Sequence, residues 1–173
     1  MRHQISTAVL ATLLPLGLLA GCGDGEPARG TDLTQAQLEK HVNGSFEPDD
    51  PAKELEAACE GALAAVADAT QDCEVTNGNQ RVGVRVAVTD IAADDLGMEL
   101  TPFLFGEDVA GAIAQSLEMQ GYTGISTTCD GDLVGEVGRE LECVLESDTG
   151  ESIINVDVTE VDGLMINYDF KSA

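Results

Sequence analysis

The sequence predicts an α+β fold made of two small tandem modules, each a helix packed on an antiparallel β-sheet with meander connections. Two observations support this prediction. Four of the five cysteines form pairs of equal spacing, Cys59 with Cys73 and Cys129 with Cys143, and the second pair lies 70 positions after the first (129 − 59). Each pair is followed by segments in which apolar and polar residues alternate, a pattern typical of strands with one buried face.

The same shift of 70 positions relates residues beyond the cysteines. It aligns Gly61 with Gly131, Leu63 with Leu133, Val86 with Val156, Val88 with Val158, and Thr89 with Thr159. Coincidence would hardly reproduce two cysteine spacings and a strand in one register. We therefore interpret the chain as a tandem duplication, with a divergent first module at residues 33–100 and a second module at residues 101–173.

The second module has a regular pattern. Residues 107–120 form a predicted helix that Gly121 ends, and its apolar face contains Val109, Ala112, Ile113 and Leu117. Asp162-Gly163 is a hairpin turn signal. A short β-prone run at 123–128 precedes three alternating strands, at 140–146, 152–161 and 164–170. The pattern therefore predicts a helix followed by about four strands.

The first module is less regular. Thr34 and Gln37 form a capping-box pattern, which predicts a helix with Leu38 and Val42 on one face. Residues 81–91 predict a strong strand, in which the alternating apolar residues are Val82, Val84, Val86 and Val88.

Residues 50–69 give two conflicting predictions. Their alanine-rich composition and the Asp50-Pro51 start favour a helix, whereas the repeat predicts a strand, a cysteine and a loop. We favour the helix. Residues 92–106 are predicted to join the modules, with a short strand near residues 98–100.

The N-terminus has the features of a bacterial lipoprotein signal. Arg2 precedes an apolar run at residues 5–19, and Leu19-Ala20-Gly21-Cys22 resembles a lipobox. We expect residues 1–21 to be a signal peptide, Cys22 to be acylated with a diacylglyceryl group and palmitate, and residues 22–32 to be a flexible tether. The alternative is an ordinary secretory signal with an incidental cysteine.

Net charge limits the classes of partner. The chain carries 32 acidic and 8 basic residues, a formal net charge of −24. Such a field repels phosphate backbones, so we expect no nucleic-acid partner. Contact with membrane lipid would depend on the acyl chains of Cys22, since charge alone disfavours anionic lipid. The acidic surface has two interpretations, a solvated face or a surface for cations or basic partners.

In an exported chain, matched cysteine pairs predict the disulfides Cys59–Cys73 and Cys129–Cys143. Each would close a short loop and stabilise its module by about 3 kcal/mol. Metal binding is the poorer alternative, because the sequence has no C-x-x-C motif and His41 is the only histidine after the signal peptide.

No motif in the sequence predicts catalysis or a cofactor. There is no G-x-S-x-G and no phosphate-binding glycine pattern, and we interpret His41 as a surface residue. Calcium is the best remaining chemistry, through Asp130-Gly131-Asp132 and residues 148–151. Neither segment fits the twelve-residue calcium loop, so we predict turns there and no metal site.

The second-module residues Cys129, Gly131, Leu133, Val137-Gly138 and Cys143 resemble a pattern found in actinobacterial cell-envelope lipoproteins. That family carries tandem copies of a small two-cysteine domain of unknown function. The resemblance covers residues 102–171 well and 33–91 weakly, where no glycine follows Val66. It implies a fold and a location at the outer face of the cell membrane, and it implies no activity.

Together these features predict a non-enzymatic, lipid-anchored envelope protein that binds or scaffolds an envelope partner. The alternative is an extracytoplasmic protein that binds a small ligand or a cation such as calcium. A third class, a carboxylate-dependent glycosidase, is disfavoured because the chain has no tryptophan for a sugar platform.

The lipobox predicts the mass and location of the mature protein. We expect membrane-derived protein to begin at an acylated Cys22, and a Cys22→Ala variant to be neither acylated nor held on the membrane. Intact-mass measurement of detergent extracts and of culture medium checks this. Unmodified Cys22 in the released mature protein would show an ordinary secretory signal.

Overall fold

The structure is a computed structural model that describes residues 31–48, 54–77, 80–92 and 95–173. The predicted signal peptide, Cys22 and most of the tether lie outside the described residues. The described chain is a mixed α and β structure with two antiparallel sheets and two helices, and most of its residues are in strands.

The elements follow the same order twice, except that the second half of the chain has one additional short strand, β6 (Leu133–Val134). They are α1 (Gln35–Ser45), β1 (Glu56–Cys59), β2 (Thr70–Asn77), β3 (Gln80–Ile91), β4 (Leu96–Leu104), α2 (Gly106–Met119), β5 (Ser126–Cys129), β6 (Leu133–Val134), β7 (Glu140–Ser147), β8 (Gly150–Asp162) and β9 (Met165–Ser172). We call α1 to β4 the first half and α2 to β9 the second half. The five-stranded sheet has the order β1-β2-β3-β4-β6, and the four-stranded sheet has the order β5-β7-β8-β9.

Helix α1 begins as its sequence predicts. The Thr34 side chain accepts a hydrogen bond from the Gln37 backbone N–H, and the Gln37 side chain accepts one from the Thr34 N–H. These two bonds form a capping box, which satisfies N–H groups that the first turn leaves unpaired. Leu38 and Val42 are fully buried on the helix face that contacts β1 and the strands beside it.

The helix predicted at residues 50–69 is wrong over its described part. Residues 56–59 form β1, and Leu63 makes an isolated antiparallel bridge to Leu33. Residues 50–53 lie outside the described residues. Tertiary structure overrides alanine propensity here, because Cys59 pairs directly opposite Cys73 and its neighbours alternate between buried and exposed.

The alternating segments form strands as predicted. Residues 81–91 lie in β3, and its four valines at 82, 84, 86 and 88 are all buried. The three predicted strands of the second half are β7, β8 and β9, and Gly163, at φ 57°, lies in the turn between β8 and β9. On α2 the predicted face is wrong at Ala112, which is exposed, while Ala110 is buried beside Val109.

The segment predicted to join the modules contains a full strand. β4 spans nine residues and runs across the predicted boundary at residue 100. Pro102 is compatible with this strand because its carbonyl faces β6 and accepts the Gly135 N–H at 2.8 Å. In an antiparallel ladder, the N–H and C=O of one residue point the same way, so the missing proline N–H removes no bond to β3.

The strand registers repeat with the shift of 70 positions. Each residue pair of β1–β2 and of β2–β3 has a counterpart 70 positions later in β5–β7 and β7–β8. A register irregularity follows Val88 in β3 and Val158 in β8. Asp68, at φ 63°, stands where the second half has Gly138 at φ 85°. Aspartate tolerates this left-handed conformation better than most residues, so the first half keeps the turn without glycine.

Both cysteine pairs lie at disulfide distance, in the pairing that their spacing predicts. Cys59 stands directly opposite Cys73, and Cys129 directly opposite Cys143, with Cα atoms 3.9 Å apart in each pair. Each bond therefore links two neighbouring strands of one sheet.

Two buried clusters form the core, one in each half. Leu164 of the second half lies in the first cluster, and Leu104 packs against both clusters. The sheets are also joined through their backbones, because the end of β4 pairs with β6 at Phe103↔Val134 and Leu104↔Leu133. The two halves therefore share a strand and a continuous apolar contact.

Gly83 has no room for a side chain, because the Phe103 ring lies across it. Phe103 stands directly opposite Gly83, and a Cβ at Gly83 would overlap the Phe103 ring. We expect Gly83→Ala to lower the free energy of unfolding by about 1–3 kcal/mol, the usual cost of overpacking. Urea unfolding measures this change.

Gly44→Ala is the matched control, because Gly44 lies in α1 with nothing within 4 Å of its Cβ position. Alanine favours helix over glycine by about 1 kcal/mol, so this variant should gain stability. Adding Phe103→Leu to Gly83→Ala should recover part of the loss. If Gly83→Ala and Gly44→Ala change the free energy of unfolding equally, a Cβ at position 83 does not overlap the Phe103 ring.

Candidate functional site

A cleft of about 740 Å³ opens where the two halves meet. Its apolar residues come from both halves, and its polar residues lie mainly at the start of β3, on α2 and on β9. The lining residues are Thr76, Gln80, Arg81, Val82, Leu104, Asp108, Val109, Leu164, Met165, Ile166, Asn167 and Tyr168. Clefts of this size, with apolar surface and a few polar groups, are typical binding sites.

Arg81 links the wall formed by β3 to the N-terminus of α2. Its Nε lies 2.9 Å from Asp108 Oδ2, and its guanidinium also donates to Glu107. Glu74 is a more distant partner, at 3.7 Å. The hydrogen bonds from Asp108 and Glu107 raise the pKa of Arg81 above its ordinary value. Both carboxylates occupy the first turn of α2, where the helix dipole favours negative charge.

An arginine–aromatic layer continues from the cleft across the outer face of the first sheet. The Arg81 guanidinium lies 4.4 Å from the Phe105 ring centroid, and Arg85 lies 5.6 Å from that of Phe103. The two rings meet edge to face at 5.3 Å. Arg85 also binds Asp72 through two hydrogen bonds, at 2.7 and 2.8 Å. The layer therefore connects β2, β3 and β4 to the residue that precedes α2.

Tyr168 lines the opposite wall of the cleft, on β9. Its side chain is partly buried, and this burial raises the pKa of its phenol above the ordinary value. The rise follows because a phenolate loses solvation when its surroundings exclude water. Tyr168 is therefore a neutral hydrogen-bonding group at the cleft wall near neutral pH.

Asp132, one of the residues considered for calcium, has a structural role. Asp132 Oδ1 accepts the Gly106 N–H at 2.9 Å, which caps α2 where the N-cap residue, Phe105, provides no side-chain bond. The Asp148 carboxylate lies beside Gly124. Within the described ranges, no three histidine, cysteine or acidic side chains gather as a possible metal site.

His41 lies on the exposed face of α1, as the sequence predicts. It borders a shallow groove of about 450 Å³ together with Lys40 and Met98. No serine, threonine or cysteine side chain in the described part of the chain hydrogen-bonds to its imidazole. The predicted surface role of His41 therefore agrees with its position.

Sequence reasoning missed Arg81, Asp108 and Tyr168. Arg81 and Asp108 are 27 residues apart and belong to different predicted modules, so no local pattern connects them. One signal was available, because the whole chain has only eight basic residues. An arginine beside an alternating strand in so acidic a chain is a candidate for a structural ion pair.

Neither of the two described helices is long and apolar enough to cross a bilayer. Comparison with protein-family models, with curated proteins and with solved structures found no match. The resemblance to actinobacterial envelope lipoproteins therefore stays a prediction from the residues around Cys129 and Cys143.

The position of Tyr168 predicts a pH dependence of stability. Its raised folded-state pKa means that the phenol contributes stability below about pH 10, and that this stability is lost as pH rises through the raised pKa. In a Tyr122→Phe background, Tyr168 is the only tyrosine, and phenolate absorbance should show ionisation above about pH 10. We measure the free energy of unfolding in urea as pH rises above about 10. It should fall less for Tyr168→Phe than for the parent, because the variant has no phenol to ionise. An ionisation midpoint at or below the ordinary value would contradict the burial of the ring.

Proposed function

We propose that the protein is a non-enzymatic, lipid-anchored cell-envelope protein that binds an envelope partner. Acylated Cys22 would hold it at the outer face of the membrane, and residues 22–32 would separate the folded part from the lipid. Residues 33–100 and 101–173 would be two tandem modules, each a helix on an antiparallel sheet. The repeated element order and the registers shifted by 70 positions support the duplication.

The observation that carries the binding function is the cleft between the halves. Val82 and Leu104 of the first half and Ile166 of the second contribute apolar surface to one space, which neither half forms alone. Met165 adds an exposed thioether, with 49% of its surface accessible. An apolar centre with a polar rim is the usual anatomy of a protein-binding surface.

Binding fits the described side chains better than catalysis does. The four described cysteines are in disulfides, so they provide no thiolate. In the cleft, Asp108 is engaged by Arg81. A general base needs a free, positioned acceptor beside a nucleophile, and this cleft places its carboxylate against a guanidinium.

The same cleft supports a second candidate function, the binding of a small ligand. Small-molecule sites usually enclose about 300–1,000 Å³, and the cleft volume of about 740 Å³ lies in that range. Tyr168 and Asn167 would provide hydrogen bonds, and Leu104 and Val109 would provide apolar contact.

Position-specific photo-crosslinking on intact cells tests the proposal. A photoreactive amino acid replaces Met165 in the cleft or, as the matched control, Met119 on α2, which is 78% exposed and lies outside the cleft. We expect one envelope protein to be captured from position 165 and not from 119. A Cys22→Ala background should lose that capture, because the protein would leave the membrane.

Capture of the same proteins from both positions would contradict partner binding in the cleft. Absence of capture from position 165, with an added mass in native mass spectrometry of the purified protein, would favour the small ligand. If position 165 captures no protein and native mass spectrometry shows no added mass, the cleft binds neither a partner nor a small ligand, and the proposal is overturned.

A further inference from the structure

The outer edges of β1 and β5 present equivalent backbone groups. Both strands lie at the edge of their sheets, and Cys59 and Cys129 stand opposite their disulfide partners with Cα atoms 3.9 Å apart. So short a separation marks the non-hydrogen-bonded type of antiparallel pair, in which the N–H and C=O point away from the paired strand. The N–H and C=O of both cysteines therefore point outward from their sheets.

In the first half, α1 satisfies these groups. Gln35 Nε2 donates to the Cys59 carbonyl oxygen at 2.9 Å, and the Cys59 N–H donates to Glu39 Oε1 at 3.2 Å. Gln35 and Glu39 also bind each other at 2.9 Å. Two side chains thus make the pair of bonds that a neighbouring strand would otherwise make.

The helices of the two halves correspond with a shift of 71 positions. This shift takes Leu38 to Val109 (109 − 38) and Val42 to Ile113 (113 − 42), and all four side chains are buried. It also takes the N-cap of α1 to that of α2. The correspondence identifies which α2 residues face the edge strand.

Helix α2 lacks the side chains that, in α1, hydrogen-bond to the edge strand. Gly106 stands where α1 has Gln35, and Ala110 stands where α1 has Glu39. Gly106 packs against Cys129 and Gly131, but neither Gly106 nor Ala110 has a side-chain donor or acceptor that could bond to the edge of β5. Among the described residues, no group hydrogen-bonds to the outward N–H or C=O of Cys129.

A groove lies along this unsatisfied edge. It holds about 460 Å³ between α2 and β5, and its lining residues are Gly106, Glu107, Ala110, Gly111, Ala114, Ser126, Thr127, Thr128 and Cys129. A Cβ at Gly111 would meet nothing within 4 Å. The Thr127 hydroxyl oxygen is buried without a hydrogen-bond partner. The groove therefore has space beside a free backbone edge and an unpaired hydroxyl in its lining.

Charge indicates which occupant fits this groove. Residues 106–138, which include α2, β5 and β6, contain six acidic residues and no lysine or arginine. Arg81 pairs with Glu107 and Asp108, and Arg139 pairs with Glu136. The other three acidic residues, Glu118, Asp130 and Asp132, have no ion-pair partner among the described residues, and the chain as a whole has a net charge of −24. Glu107 lines the groove itself. A second copy of this chain would bring the same negative charge, whereas a basic segment would be attracted.

We propose that an extended, cationic segment of a partner protein adds as a strand to the outer edge of β5. One residue of the segment donates its N–H to the Cys129 carbonyl and accepts the Cys129 N–H, replacing the role that Gln35 and Glu39 have in the first half. Strand addition of this kind derives affinity from backbone bonds and specificity from alternate side chains. The groove and the cleft have no lining residue in common, so the inference goes beyond the proposed function.

A synthetic peptide of about eight residues with alternating lysine and valine, a usual strand length, is the probe. Titration into the ¹⁵N-labelled protein should shift the amide signals of Thr127 and Cys129. Fluorescence anisotropy gives the dissociation constant for the parent and for three variants with one added charge on α2. Ala110→Glu restores the residue type of the first half, Gly111→Glu fills the open side of the groove, and Ala112→Glu is the control on the exposed face.

We expect Ala110→Glu and Gly111→Glu each to weaken binding about tenfold or more, which corresponds to about 1.4 kcal/mol, although both add a charge that attracts the peptide. Ala112→Glu should bind at least as tightly as the parent. Circular dichroism shows whether each variant is folded. If Ala110→Glu unfolds, Gly111→Glu still tests the proposal.

The peptide with N-methyl groups at alternate residues keeps its charge and loses the N–H donors, so it should bind at least about tenfold more weakly. Equal binding of this peptide, equal binding of Gly111→Glu and Ala112→Glu, or no shift at Thr127 and Cys129 would each overturn the proposal. Concentration-dependent dimerisation through the same amides, without peptide, would replace it with self-association.

Discussion

The antiparallel register set by the opposed cysteines is the constraint on which each half depends. When Cys59 faces Cys73 and Cys129 faces Cys143, every residue of β2 and β7 is assigned to the inner or the outer face of its sheet. A slip of one residue would exchange those faces. Because a disulfide needs its Cα atoms within about 7 Å, the bond excludes most slipped registers. The buried valines of β3 and the outward groups of the edge strands both follow from this register.

The junction between the halves depends more on packing than on charge. Phe103 is buried beside Gly83, and burying a side chain of this size contributes about 2 kcal/mol. The ion pairs of Arg81 are largely exposed, and exposed pairs contribute little to stability. Their role is geometric, since they fix the first turn of α2 against β3. The ion pairs therefore orient the first turn of α2 at the cleft, whereas the burial of Phe103 stabilises the junction.

Sequence reasoning predicted the features that are local or repeated. The capping box at Thr34, the alternating valines of β3 and the cysteine pairing needed only spacing and composition. The prediction for residues 54–69 was wrong because alanine content reports local preference, whereas the Cys59 disulfide and the bridge at Leu63 are long-range contacts. The cleft could not be predicted, since Arg81 and Tyr168 come to line one cleft only through packing of the two halves.

The two halves have the same strand registers and disulfides, which the fold requires. They differ in side chains that the fold does not constrain. The ladder registers and the disulfides keep the shift of 70 positions, because a change there would unfold a sheet. The differences lie in side chains and leave the ladder registers unchanged. Gly83 has Ile153 as its counterpart, which is 43% exposed, and the capping residue Glu39 has Ala110. The first difference makes room for Phe103 at the junction, and the second opens the edge of β5. In a duplicated fold, positions that break the repeat without breaking the ladder are free to acquire separate roles. In this protein Gly83 lies under the Phe103 ring near the junction of the halves, and Ala110 lines the groove.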